Sequence, residues 1–207
     1  MAPQGDALSE PQLTLRQELF RKALHVSAAA FPVAYYLGVS REPLAKLLAL
    51  TTLAAVLAEA ARRSNILAAA LYDRWFGPLT RPAEKHTTTG ATLLAFACLS
   101  AVLVLSKNAA IASMWCAAVG DPCATVAGRL WSRKRPNKTD ERSRKTLVGS
   151  AACAVASFVG VSMLAGYSLI ASAAIATVAA IAEAIPAKLD DNIRVTAAAG
   201  IVAQILA

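Results

Sequence analysis

The sequence predicts an all-α polytopic transmembrane bundle, a single domain over 1–207 with about seven spans, six to eight being the range, and three observations predict it. The chain is 57% hydrophobic and 16% charged, with a mean hydropathy of +0.49, whereas soluble domains carry about 25% charged residues. Apolar runs cover 23–39, 44–60, 89–106, 109–128, 147–164, 168–186 and 193–207, most of them near the ~20 residues a bilayer span needs. When these runs are alternated across a membrane, 18 of the 21 Lys and Arg fall on one side. That asymmetry places the N-terminus and the long connections in the cytoplasm and the C-terminus outside, as expected for an integral membrane protein, of the plasma (inner) membrane if the source is prokaryotic. No room remains for a separate soluble catalytic domain.

Each run has its own features. The first follows a polar segment, 1–17, whose start MAPQGDALSEPQL lacks the basic head and apolar stretch of a secretory signal. After the second run, residues 61–88 are polar except for LAAALYDRWF, which reads as a short interfacial helix with Tyr72, Trp75 and Phe76 at headgroup level. The fourth contains Gly120-Asp121-Pro122, where Asp is a favoured N-cap and Pro a favoured first helical residue. The span is therefore expected to break there, with a half-helix starting at Pro122. The seventh has only 15 residues and must be tilted, short or partly buried. The 48 alanines make the walls smooth and permit close helix approach. Cys98, Cys116, Cys123 and Cys153 lie inside apolar runs without a C-x-x-C pair, as small buried hydrophobes do.

Charges inside such a chain call for a reason, since an ionised side chain at a span centre costs about 2.5–3.5 kcal/mol. Asp121 is the clearest case. It is either a lone buried acid or, at a half-helix N-terminus that favours anions, a hard oxygen ligand for magnesium. Gly120, Ala124 and Gly128 recur every four positions and suit close packing against another helix in either case. Glu18, Arg21, Lys22 and His25 fall at i, i+3, i+4 and i+7 and share one helical face. Two readings stand: a headgroup-facing charged face, or a polar wall turned into the bundle where Arg21 or Lys22 holds phosphate. Glu59 and Arg62 are spaced as an i, i+3 ion pair.

The connection WSRKRPNKTDERSRKTLVGS is strongly basic. It is either a loop attracted to anionic lipid or a cationic lid over a nucleoside triphosphate, with Lys145-Thr146 and Gly149-Ser150 at the start of a helix. No P-loop pattern is present, and nucleic acid is not expected as a partner, because Trp131 is the single aromatic platform. Glu183 ends the sixth run, and Asp190, Asp191 and Asn192 precede the seventh, with Asp191 or Asn192 as its candidate N-cap. Acids converging at the level of a basic loop suit metal-bridged phosphate chemistry.

Six motifs in order are similar to those of the polyprenol kinase family, which comprises dolichol kinase, phytol and farnesol kinases and the CTP-dependent diacylglycerol kinase. They are E-L-F-R-K-A-L-H at 18–25, A-E-A-A-R at 58–62, T-G-A-T at 89–92, G-D-P-C-A-T-V-A-G at 120–128, R-K-T-L-V-G-S at 144–150, and A-E-A-I-P with D-D-N-I at 182–193. The resemblance implies an integral-membrane kinase that moves the terminal phosphoryl group of a nucleoside triphosphate, typically CTP, onto a lipid alcohol with Mg2+. Catalytic roles are expected for Asp121, Lys145 and His25, with Asp121 or His25 as the general base if one is needed. Nucleotide and phosphate binding fall to Arg21, Lys22, Gly120, Thr125, Gly128, Arg144, Thr146, Gly149 and Ser150. Asp121, Glu183, Asp190, Asp191 and Asn192 are the metal candidates, with Glu18, Glu59, Arg62 and Glu84 in support. The chain departs from the family pattern at Arg129-Leu130-Trp131, where another Gly is expected, and at Thr146, where Ser is commoner.

The expected function is thus a lipid-alcohol kinase acting on a polyprenol, a phytol-type alcohol or diacylglycerol, with the lipid bilayer and a nucleotide as partners and an oligomer possible but not indicated. A CTP-phosphatidate cytidylyltransferase, which would release pyrophosphate, and a small-solute or ion transporter are the alternatives.

Overall fold

Ten α-helices and no strand make up the described part of the computed structural model, residues 15–77, 80, 84, 87–133, 145–187 and 189–207. They are α1 (Leu15–Ser27), α2 (Ala30–Tyr36), α3 (Arg41–Ser64), α4 (Ile66–Phe76), α5 (Gly90–Val104), α6 (Lys107–Trp115), α7 (Asp121–Arg133), α8 (Leu147–Leu164), α9 (Leu169–Ala184) and α10 (Asp191–Ile205).

Local chemistry sets most of the ends. Asn65 caps α4 by accepting from the backbone N–H of Leu67 and Ala68, Thr146 caps α8 through Gly149 N–H, and Ser168 caps α9 through Ala171 N–H. Asp190 caps α10, accepting from Asn192 N–H at 2.9 Å. This corrects the expectation of Asp191 or Asn192: both already lie in the helix, and the shorter reach from Asp190 satisfies the first free donor. Glu42 in the first turn and Arg62 and Arg63 in the last suit the dipole of α3. Gly166, with φ +71°, makes the turn from α8 to α9 in a conformation that side chains with a Cβ resist.

Two expected spans have a different form. The run 23–39 is divided between α1 and α2. Pro32 has no N–H, so the carbonyl of Ala28 takes Phe31 N–H instead, and Ala28 and Ala29 bond back three residues to His25 and Val26. Around Gly120 the expected break is absent. α6 runs through a π-helical turn, Cys116–Gly120, directly into α7, and Asp121 has helical φ −61° and ψ −46°. Its N–H bonds to the carbonyl of Cys116, five residues back. The widened turn accommodates Pro122 and keeps the helix axis continuous.

That continuous helix is the centre of the fold. In its most apolar stretch 72% of residues are buried, against 17% in α3 and 28% in α8. Around it pack α5, α8, α9 and α10, with Ala109, Ala110, Ala112, Cys116 and Ala117 fully enclosed. Small side chains let these helices approach closely. A Cβ on Gly128 would come within 2.9 Å of Thr146 Oγ1, and one on Gly149 within 2.8 Å of the Ala124 carbonyl. The four-residue spacing of Gly120, Ala124 and Gly128 is therefore the seam between α7 and α8. Cys98, Cys116 and Cys153 are buried free thiols and Cys123 is half-buried.

Three helical stretches, Arg41–Ser64, Lys107–Ser132 and Leu147–Leu164, are long and apolar enough to cross a membrane, while Gly90–Val104 and Leu169–Ala184 are apolar but shorter. Leu50, Leu53 and Leu57 are exposed along α3, as a lipid-facing surface requires. α4 buries none of its residues, and its Tyr72 ring packs on Phe76 and beneath the Arg62 guanidinium.

Candidate active site

The charged face of α1 turns inward. Glu18 and Lys22 are 2% and 5% exposed. Glu18 accepts from Arg21 at 2.9 Å, and Lys22 Nζ donates to Asp121 Oδ2 at 2.6 Å. His25, one turn further on, has Nε2 3.2 Å from the Ala117 carbonyl and 4.0 Å from Asp121 Oδ2. A carbonyl can only accept, so the Nε2 proton is the donor. The π turn explains why that carbonyl is free. Once Asp121 bonds five residues back, the next such bond would need an N–H on Pro122, which has none. Ala117 therefore offers its oxygen sideways, and a histidine on a neighbouring helix takes it.

A small polar cavity of about 10 Å³ opens beside this pair, lined by Arg21, Lys22, His25, Glu84, Gly90, Asp121, Asp190, Asp191 and Asn192. Its volume is about that of one water or one small ion. Asn192 Nδ2 donates to the Gly90 carbonyl at 3.1 Å and to Asp190 Oδ1 at 2.8 Å. Two buried oxygens, Asp121 Oδ1 and Asn192 Oδ1, have no hydrogen-bond partner. Burial, and then the adjacent Asp191 charge, push the Asp190 carboxyl above the usual carboxylate range. Gly90 is a wall residue that the sequence reading left out of the site. A Cβ there would lie 3.4 Å from Asn192 Nδ2 and 3.6 Å from Glu84 Oε1, so its smallness lets α10 approach the start of α5. The Thr-Gly step ahead of an apolar run was the available signal.

A second group adjoins the first through Asp191. Lys145 forms an ion pair with the buried Glu183, and its Nζ is 3.8 Å from Asp191 Oδ2. Thr146 caps α8; Thr125 and Ser150 are half-buried on the facing helices, and Gly120, Gly128 and Gly149 occupy the α7–α8 seam. Arg144 lies outside the described residues.

Glu59 and Arg62 do not pair with one another. Glu59 Oε1 accepts from Thr89 N–H, Thr89 Oγ1 and Thr92 Oγ1 at 2.9, 2.8 and 2.6 Å, and its other oxygen meets Arg63 at 3.0 Å. Arg62 donates to the carbonyls of Glu84 and Thr87. These buried contacts fix the segment leading into α5, and thereby Glu84 and Gly90, which line the cavity.

Among the described residues no three His, Cys, Asp or Glu side chains are grouped closely enough to hold a metal ion by themselves. The two unpartnered oxygens, with Asp190 and Asp191 in the same wall, are nonetheless the hard donors that magnesium prefers, and magnesium usually retains several waters and substrate oxygens.

No family model and no solved structure matches the chain. The CTP-dependent diacylglycerol kinase 1 of Schizosaccharomyces pombe is similar to it, with 25% identity over 153 residues, covering 72% of this chain and 68% of the yeast protein.

Proposed function

We propose that this chain is an integral-membrane lipid kinase that transfers the terminal phosphoryl group of a nucleoside triphosphate, CTP in the first instance, to a lipid alcohol. One observation carries the proposal: α1, α5, α7 and α10 bring cations, carboxylates and two residues with an unpartnered buried oxygen, Asp121 and Asn192, to one cavity inside an otherwise apolar bundle. Similarity to a CTP-dependent diacylglycerol kinase supports the lipid and nucleotide assignments. The proposal includes seven spans, with the N-terminus and the site on the cytoplasmic side and the C-terminus outside.

Phosphoryl transfer depends on positioning and on neutralising charge more than on a strong base. Lys22 supplies a buried cation and Arg21 a half-buried one on one wall, and Lys145 supplies a partly exposed one at the adjoining group. Asp121, Asp190, Asp191 and Asn192 would hold Mg2+, whose charge would offset that of the phosphates. Glu183 holds Lys145 in place. Lys22 and His25 approach Asp121 and its helix from one side, and Asp121 Oδ1 has no hydrogen-bond partner.

The test is to incubate purified protein with labelled CTP or ATP and a panel of farnesol, phytol, polyprenols and diacylglycerol. A phosphorylated lipid and nucleoside diphosphate are expected. Pyrophosphate release, or no phosphorylated lipid from any pairing, contradicts the proposal.

A further inference from the structure

A groove of about 640 Å³ runs between α1, α7 and α8. Leu19, Val26, Val126, Leu130 and Val155 are among its walls, and Lys22 is the single charged residue lining it. Lys22 also lines the polar cavity, where its ammonium meets Asp121, and Pro122, the next residue after Asp121, belongs to the groove wall. The groove and the cavity thus share one side chain. Lysine suits such a position, since its methylene stem packs with apolar groups while its charged end stays among polar ones.

We infer that this groove holds the hydrocarbon chain of the lipid-alcohol acceptor and brings its hydroxyl to the Lys22–Asp121 pair. The inference rests on the lipid kinase reading and adds the route by which the acceptor reaches the site. Chemistry favours that occupant over another helix. The groove walls are apolar and abut the polar cavity through the Lys22 stem and Pro122, so an amphiphile with one polar terminus matches the two together, whereas an apolar helix would match the groove alone. Leu19, Leu130 and Val155 are 40%, 49% and 64% exposed, so a chain can enter from the side.

Two experiments on the full chain test this. In phosphatidylcholine vesicles carrying diazirine-tagged diacylglycerol or diazirine-tagged farnesol, photolysis should place crosslinks in 19–26, 122–130 and 152–156, reduced at least fivefold by excess untagged lipid of the same kind. Crosslinks spread evenly over exposed faces such as that of α3, without competition, would overturn the inference, as would a groove filled by a second copy of the chain. In the kinetic experiment, Ala127→Trp should raise KM for the lipid at least tenfold with KM for CTP within twofold of the parent. Val155→Trp, at the exposed rim, should act in the same direction and serves if the first variant misfolds. Ile181→Trp, on the exposed face of α9, controls for added bulk. Lipid phosphorylation with an unchanged lipid KM in a folded groove variant removes the groove and leaves the kinase. Absence of any lipid phosphorylation removes the kinase reading, and competed crosslinking then still decides whether the groove binds lipid.

Discussion

Lys22 and Asp121 lie 99 positions apart and meet at 2.6 Å, with side chains 6% and 1% exposed. The contact joins the first helix of the fold to its central one at the residue where a π turn hands over to α7. Burying two charges is costly, and removing one strands the other at a cost of about 3–5 kcal/mol. Lys22→Met is therefore expected to lower thermal stability in detergent strongly, and the double variant Lys22→Met/Asp121→Leu to recover most of the loss while remaining inactive. A double-mutant cycle on unfolding midpoints checks this; additive losses would show that the pair is not coupled.

Gly160 tests the packing around the central helix. A Cβ there would overlap the Trp115 indole, whose Nε1 donates to the Ala156 carbonyl at 3.0 Å. Neither ring nor helix can yield without losing that bond. Gly160→Ala should destabilise by about 1–3 kcal/mol, the usual range for overpacking, and differential scanning fluorimetry should show a lower midpoint. Gly38, where nothing lies within 4 Å of a Cβ, has no such clash, so the effect of its replacement reports only the cost of φ +105°.

Asp190 gives a pH dependence with a definite sign. Burial, reinforced by Asp191, raises its pKa in the folded protein, so the folded state holds this proton more tightly than the unfolded one. The associated stabilisation is complete below the unfolded value of about 3.9 and is lost as pH rises through the folded value. Above the unfolded value this carboxyl therefore opposes folding. Asp190→Asn keeps a good helix cap and should raise the melting midpoint at pH 7 in the absence of divalent ions, with the gain shrinking on acidification. A constant gain at all pH values would argue against it.

The same carboxylates bear on metal dependence. Mg2+ should raise the melting midpoint of the parent protein, chelation should abolish lipid phosphorylation, and both responses should weaken in Asn192→Leu, which removes one of the two unpartnered oxygens. Equal Mg2+ responses in parent and variant would remove Asn192 from the proposed ligand set.

How far the sequence disclosed this arrangement depended on the range of the interactions involved. The spacing of Glu18, Arg21, Lys22 and His25 defines one helical face by geometry alone, and an acid within an apolar run marks Asp121 without knowledge of its partner. Gly120-Asp121-Pro122 misled because its local signal is that of a helix start. The buried surroundings of Cys116–Gly120 favour an uninterrupted axis, and the π turn resolves the conflict. Glu59 misled for a similar reason: its spacing suggests Arg62, whereas its buried partners, Thr89 and Thr92, come from another helix. Span length was least legible. The break between α1 and α2 follows from one missing N–H at Pro32 inside a continuous apolar run.

Asp121, held by Lys22, is proposed to serve phosphoryl transfer to a lipid alcohol. The most direct measurement compares the parent and Asp121→Asn, both shown to be folded, for formation of labelled phospholipid from labelled CTP and the best acceptor of the panel. A robust rate is expected for the parent and a loss of at least a hundredfold for the variant. Equal rates, or no lipid product from the parent with any acceptor, would contradict it.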